Sequence, residues 1–262
     1  MTSPYVQGLR APNPGPMTLE GTNTWLIGNG SRGPVLVVDP GPLAPAHQDS
    51  VLRAAYRGVV SVVLTHRHLD HSDSAAELAR RAECGVRAAD PALVVGSEGL
   101  AEGDRLEVAG ATLTAVATAG HTSDSMSLLL TGDDGVVRLL SGDMVLGRGT
   151  TVITYPDGDL GAYLDSLARL RSLVAEHGIV EILPGHGPVV TDPAGWLAYY
   201  AEHRQQRLNQ VRAALASGAR APAEVVAAVY ADVDQQLWPA AEQSVRAQLE
   251  YLDSGDSDST HR

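Results

Sequence analysis

Phenylalanine and lysine are absent from this 262-residue chain, and cysteine occurs once. With no Phe and only 4% aromatic residues, the core has to be built from Ala, Val and Leu, and a hydrophobic share of 44% is enough to build one. The single cysteine, Cys84, excludes an intrachain disulfide and fits a reducing compartment. Its setting, "RRAECGVRA", is a helix end before a short strand, which gives it a structural role. No stretch approaches the ~18 apolar residues of a membrane span. The N-terminal "MTSPYVQGLRAPNPGP" has no apolar core of a leader peptide. The expected location is therefore cytoplasmic, with no membrane partner. Positive charge is also short: 19 Arg face 31 acids, for a net charge of −12 and a pI of about 5.1. That excludes a broad electrostatic footprint for nucleic acid, which only a local basic groove or bound divalent metal would reverse.

What is present alternates. After a Pro/Gly-rich stretch that ends near Met17, "TNTWLIG" and "PVLVVDPG" read as strands, the second stopped by Pro40 and Gly41. Pro45–Tyr56 has helical spacing, "VVSVVLT" is a strand buried on both faces, and Ser72–Arg81 is an amphipathic helix. Shorter strands are expected at 86–89, 105–108, 112–117, 126–131 and 136–141. A helix follows over 160–176, stopped by Gly178, and then the strand "VEIL". The class is α/β with mixed sheets. From Pro193 the pattern changes to three helices punctuated by Gly and Pro. The expected organisation is a main domain over 1–192, a small helical module over 193–255, and a disordered tail over 256–262, where "DSGDSDSTHR" lacks apolar residues. No internal repeat is visible.

The chemistry sits in the histidines. "VVLTHRHLDHSDS" places His66, His68, Asp70 and His71 directly behind an apolar strand. Four such groups cannot all pack as core, and leaving them desolvated and unpaired would cost several kcal/mol. "VATAGHTSDS" then supplies His121, "RLLSGDMVLG" supplies Asp143 and "EILPGHGPVV" supplies His186. Each follows a predicted strand, and strand ends in a packed α/β fold converge on one rim. A single His at a strand end is ordinarily a satisfied hydrogen-bonding group; this clustering reverses that reading. Five imidazoles and two carboxylates make two adjacent four-coordinate sites if one carboxylate bridges, whereas a mononuclear site needs only three or four ligands. A donor set of N and O without thiolate suits zinc, with manganese or iron(II) as alternatives.

In "VVDPG", "THRHLDH", "AGHT", "SGD" and "PGHG", taken in that order between Asn13 and about Val190, the chain resembles the metallo-β-lactamase superfamily of hydrolases. The resemblance implies an αββα sandwich, two mixed β-sheets flanked by helices. It further implies that His66, His68 and His121 hold one zinc, that Asp70, His71 and His186 hold a second, and that Asp143 bridges them. Asp39 would orient a ligand imidazole, although an Asp before Pro-Gly is also a plain turn former. Two such cations share a water and bring its pKa toward neutrality, which makes a bridging hydroxide the nucleophile, with Asp70 orienting it. The implied reaction is hydrolysis.

The bond cut is less constrained. Zinc β-lactamases proper lack an aspartate in the "SGD" position, and "GHTSDSMS" lacks the second Gly-His of the glyoxalase II enzymes. The stretches "NPGPMTLEGTNTWLIG" and "SGDMVLGRGTTV" look like the β-lactamase-like branch whose mitochondrial member is a single-strand-specific endoribonuclease. "EHRQQRLNQV", "VYADV" and "AAEQSVRAQLEYL" are similar to that branch's C-terminal winged-helix-like module. Single-stranded RNA is thus the substrate the resemblance implies. The alternative is a small-molecule thioester, ester or lactam hydrolase, glyoxalase II-like or β-lactamase-like, and a non-catalytic binding protein is a third reading. Composition favours the second: residues 194–253 carry five Arg against seven acids. Arg204 and Arg207 are expected on a solvated helix face, with a phosphate contact beside Arg148 as the other option. "WLAYY" is expected to pack on the main domain rather than stack bases. Thr150, Thr151 and Tyr155 follow Asp143 closely and, with Asn23 and Arg148, are candidates for the substrate rim. His47, His203 and His261 have no ligand-like setting, and His177 suits a helix C-terminus. The oligomeric state is not legible.

Overall fold

Two five-stranded mixed sheets lie face to face, and helices cover both outer faces. The computed structural model describes residues 3–259, with side chains through residue 254. The first sheet runs β1 (Val6–Arg10), β2 (Asn23–Ile27), β3 (Val35–Val38), β4 (Val59–Val63) and β5 (Gly85–Arg87) in spatial order. β1, β2 and β3 pair antiparallel, whereas β3, β4 and β5 pair parallel. The second sheet has the order β10 (Glu181–Pro184), β9 (Val137–Gly142), β8 (Met126–Gly132), β7 (Ala111–Ala117), β6 (Arg105–Val108). Only its β9–β10 pair is parallel. Parallel neighbours need crossovers, and those connections place helices on the outer faces.

Three apolar layers follow. Between the sheets, Trp25, Ile27, Leu36 and Val63 meet Leu113, Leu128, Leu130 and Leu140. On the outside of the first sheet, α1 (Pro45–Ala54) and α3 (Ala75–Ala82) contribute Val51, Leu78 and Ala79. On the outside of the second, α4 (Leu160–His177) and α5 (Pro193–Ala216) contribute Tyr163, Leu167, Leu170, Leu197 and Tyr200. The far end of α5 packs Val211 against Val225, Val226 and Val245 of α6 (Pro222–Val229) and α7 (Trp238–Ser259), which complete a C-terminal helical unit. The fold is the αββα sandwich with an appended helical module.

Departures from the sequence expectations have local causes. The Pro/Gly-rich first residues contain β1, an edge strand with an exposed-to-intermediate pattern that is held by its backbone pairing with β2. Apolar alternation was its missing signal. The helix expected over Ser72–Arg81 is two pieces, α2 (Leu69–Ser72) and α3. Between them Ser74 Oγ donates to the carbonyls of Gly41 (2.9 Å) and Pro42 (2.5 Å). β4 is buried except at Val60, which is 46% exposed. Cys84 is half-buried against the outer apolar layer. α7 continues to Ser259; residues 260–262, including His261, lie outside the described residues. Among the described residues no helix is long and apolar enough to cross a membrane.

The inter-sheet layer is the largest test of this packing. Leu128 is fully buried there, so Leu128→Ala should cost about 2–5 kcal/mol. Urea unfolding followed by circular dichroism would read that loss, and a cost under about 1 kcal/mol would contradict the packing.

Candidate metal centre

Every polar strand end noted in the sequence opens on the same edge of the sandwich. β3 stops at Val38, and Asp39 follows with φ of +52°, a left-handed conformation that Asp tolerates better than most side chains. Its N–H donates to the Val63 carbonyl (3.0 Å) and its carbonyl accepts from Thr24 Oγ1 (2.8 Å), which fixes that conformation. The buried carboxylate then accepts from the Thr65 N–H (2.8 Å) and from Thr65 Oγ1 (2.7 Å). Beyond β4 the chain bends at Thr65 and His66, and His66 and His68 come together while Arg67 points elsewhere. Arg67 turns away to Asp124 (3.1 Å), Asp157 (3.4 Å) and Asp90 (3.5 Å), anchoring the loop from outside.

α2 carries Asp70 and His71. His121 follows Gly120, whose φ of +140° suits glycine alone and where a Cβ would collide with the backbone of Tyr163 in α4. Asp143 follows β9 and His186 follows β10. Gly185 N–H donates to the Gly142 carbonyl (2.9 Å), drawing those two strand ends together. A Cβ on Gly185 would overlap Asp143 Oδ1, so the glycine permits the approach.

The seven side chains sort into two groups. His68 Nδ1 lies 3.0 Å from both His66 Nε2 and His121 Nε2. His186 Nε2 lies 3.2 Å from His71 Nε2 and 3.1 Å from an Asp70 oxygen. Asp143 stands between the groups, 3.4–3.5 Å from His186 and His71 and 3.8 Å from His121. His66, His68, His121; His66, His71, Asp143; and Asp70, His71, His186 are each arranged so that one ion could be held by all three.

The other face of each ring says which nitrogen carries the proton. His121 Nδ1 is 2.7 Å from the Val152 carbonyl, and His71 Nδ1 is 3.0 Å from Asp39 Oδ2. His66 Nδ1 faces Thr65 Oγ1 at 3.0 Å; that hydroxyl already donates to Asp39, so it accepts here. His186 Nδ1 points at the Gly21 carbonyl, 3.4 Å away. Donating through Nδ1 leaves each Nε2 as a bare lone pair turned inward. Lone pairs facing one another at 3.0 Å cannot all be hydrogen bonds, because none of the three nitrogens around His68 has a spare proton for two partners. Buried Asp143 Oδ1 also lacks a hydrogen-bond donor. Convergent lone pairs with an undonated carboxylate oxygen fit divalent cations and fit little else.

Electrostatics divides the groups in the same way. Burial, with the surrounding imidazoles, pushes His66 well below its ordinary value and His121 to about 4, keeping both neutral, as ligands must be. Burial works against His186 too, but Asp143 and Asp70 outweigh it and raise that ring to about 9, so in the absence of a cation its Nε2 takes up a second proton that a bound metal would displace. Burial likewise opposes the charged form of Asp143, and His186 and His71 overcome it, holding the carboxyl well below the usual range.

A cleft of roughly 300 Å³ opens above His121 and Asp143. Of the rim candidates, Arg148, Thr150 and Thr151 line it; buried Thr151 has its Oγ1 3.2 Å from His121 Nδ1. Two do not. The buried Asn23 amide donates to the carbonyls of Pro184 (3.1 Å) and Gly187 (2.9 Å), bracing the His186 loop from behind. Tyr155 lies on the surface outside the cleft lining, 36% exposed. The reading of Arg204 as a solvated residue also needs correction: it is 3% exposed and lines the cleft, as do His203 and Arg207. The overlooked signal was its register, since Leu197, Tyr200, Arg204, Leu208 and Val211 form one buried stripe of α5 and a cation interrupts it. His47, by contrast, is a packing residue whose Nε2 meets Thr24 Oγ1 at 2.9 Å.

With the geometry in hand, comparison with known proteins is direct. The sequence matches the metallo-beta-lactamase superfamily over residues 17–186 and a beta-lactamase associated winged helix domain over residues 221–255. It is 34% identical to the beta-lactamase-like protein 2 homolog of Drosophila melanogaster, over 92% of this chain and 85% of that protein. It is 32% identical to the atrochrysone carboxyl ACP thioesterase of Aspergillus fumigatus, over 87% and 74%. In fold it is similar to the crystal structure of a metallo-beta-lactamase family protein from Thermus thermophilus, with a TM-score of 0.78, 22% identity and coverage of 97% and 95%.

Cations bound only by the folded chain stabilise it by mass action. Chelation should therefore lower the melting temperature by about 5–10 °C, reversibly on adding back zinc. Scanning calorimetry reads this, and a melting point indifferent to chelator and metal would contradict the fit.

Proposed function

The chain belongs to the metallo-beta-lactamase superfamily of hydrolases, and from that premise we propose that it cleaves small-molecule acyl thioesters over a pair of zinc ions. Residues 1–192 form the hydrolase domain in this reading, and 193–255 wall its cleft. The observation that carries the proposal is the convergence of two three-residue donor groups on Asp143 at the floor of a bounded cleft. His66, His68 and His121 would hold one metal and Asp70, His71 and His186 the other, with Asp143 within reach of both. The all-N/O set favours zinc, and manganese or iron(II) would fit the same donors. Bound there, the metal pair supplies a nucleophile from water at neutral pH and polarises the thioester carbonyl.

The protein's own residues do the positioning. Asp39 and the Val152 carbonyl hold His71 and His121 in register. Asp70 orients the attacking water. The apolar rim, with Met17, Leu19 and Leu146, limits bulk water around the acyl group. Water adds to the carbonyl carbon, the C–S bond breaks, and the thiol and the carboxylic acid leave.

The choice of bond rests on two supports. Relatives 32–36% identical to this chain include proteins named as thioesterases. A cleft of roughly 300 Å³ suits an acyl chain better than several stacked nucleotides. Against the endoribonuclease reading implied by sequence resemblance stand the net charge of −12 and the small cleft, in which the arginines are confined to Arg148, Arg204 and Arg207.

The test offers the metal-loaded chain a hexanoyl thioester of N-acetylcysteamine, a chromogenic cephalosporin and a labelled single-stranded RNA. Thioester turnover should lead, and Asp143→Ala should reduce it by at least about 10²-fold. RNA cleavage that depends on Asp143 without thioester turnover would overturn the reading.

A further inference from the structure

The cleft inverts the charge of the chain. Acids outnumber arginines 31 to 19 overall, yet Arg148, Arg204 and Arg207 line the cleft against one carboxylate, Asp143. Arg148 is offset by Glu20 at 2.7 Å. The two arginines from α5 are not offset. Arg204 stacks its guanidinium over the Tyr163 ring at 4.8 Å and donates to the Thr151 carbonyl, and its Nε is buried without an acceptor. Arg207 lies over Tyr230 at 4.5 Å and donates to neutral acceptors, the Val229 carbonyl (3.1 Å) and Gln210 Oε1 (3.0 Å). No carboxylate among the described residues pairs with either. Beside them on the helix, His203 also faces the cleft with its Nδ1 buried and unpartnered.

A guanidinium removed from water without a counter-anion is strongly unfavourable, so a helix that buries one beside a second is short of an acceptor. Neutral acceptors and ring faces make up part of that deficit; the free Arg204 Nε and His203 Nδ1 mark what is left. Guanidinium groups also match planar oxyanions in a way ammonium groups do not. Much of the remaining lining, with Val152, Val233 and Leu237, is apolar, and Thr150, Thr151 and Ser244 add hydroxyls to it.

We propose that His203, Arg204 and Arg207 form an oxyanion-binding subsite, so that the substrate is a thioester bearing a carboxylate or phosphate at the far end of an apolar segment. This specifies the substrate of the thioesterase reading and rests on it. Two parts of a thioester can supply that charge, a carboxylate ending the acyl chain or a phosphate on the thiol arm. Both chemistries are recognised by the same donors.

Four substrates separate the sources in the metal-loaded, full-length chain: hexanoyl and adipoyl N-acetylcysteamine, and the hexanoyl thioesters of pantetheine and 4′-phosphopantetheine. One anionic member should exceed its neutral partner in kcat/KM by about 10–100-fold, chiefly through KM. Which pair responds identifies the source. Arg207→Gln should collapse that ratio at least tenfold and Arg207→Lys should restore part of it, with melting temperature as the check on folding. A binding readout runs alongside: calorimetry with hexanoate and with inorganic phosphate should show at least tenfold weaker affinity in Arg207→Gln for the favoured anion. Equal kcat/KM within both pairs overturns the subsite while thioester hydrolysis stands. If no thioester is turned over, the thioesterase reading fails, and unchanged anion affinity in Arg207→Gln overturns the subsite independently.

Discussion

Everything at the metal centre depends on where four imidazole protons are kept. His66, His71, His121 and His186 each have an oxygen beside Nδ1, and that arrangement leaves Nε2 bare and facing inward. The oxygens belong to the scaffold: a carboxylate in a left-handed turn after β3, a hydroxyl after β4, and the carbonyls of two loops. The sheets therefore set ligand geometry through the back of each ring rather than through its front. Asp39 is the centre of this arrangement, because it accepts from Thr65 twice and faces His71 as well. Its φ of +52° is tolerable because its N–H donates to the Val63 carbonyl and its carbonyl accepts from Thr24 Oγ1, which hold the turn on both sides.

Much of this was legible in the chain itself. The apolar run before "THRHLDH" identifies a strand end, and the crowding of His66, His68, Asp70 and His71 behind it marks them as ligand candidates. The Gly beside His121, Asp143 and His186 marks three more close approaches. Two of these glycines show why: at Gly120 the backbone of Tyr163 occupies the space of a Cβ, and at Gly185 Asp143 occupies it. The fold class followed from the alternation of β-branched and amphipathic segments.

What escaped the sequence has a common cause: it depends on which helix meets which loop. β1 pairs by main-chain bonds that no side-chain pattern announces. Asn23 sits close to the centre in the fold but faces the back of the His186 loop, since strand β2 turns its amide toward Pro184 and Gly187. Arg204 and Arg207 read as ordinary solvated helix residues because charge counts ignore register. Its register in the apolar stripe of α5 marks Arg204 as inward, and docking of α5 against α4 and the 143–152 loop shows what it meets.

That docking is dense. Tyr200 Oη accepts from the Leu146 N–H at 2.8 Å, Trp196 Nε1 donates to the Leu146 carbonyl at 2.8 Å, and Ser244 Oγ of α7 accepts from the Ile153 N–H at 3.1 Å. The loop that carries Asp143 into the metal floor is thus fastened along its outer length to the appended helices. On the proposed reading, side chains of α5 and the backbone that positions Asp143 share one packed interface, so a change made to alter what enters the cleft is also felt at its floor.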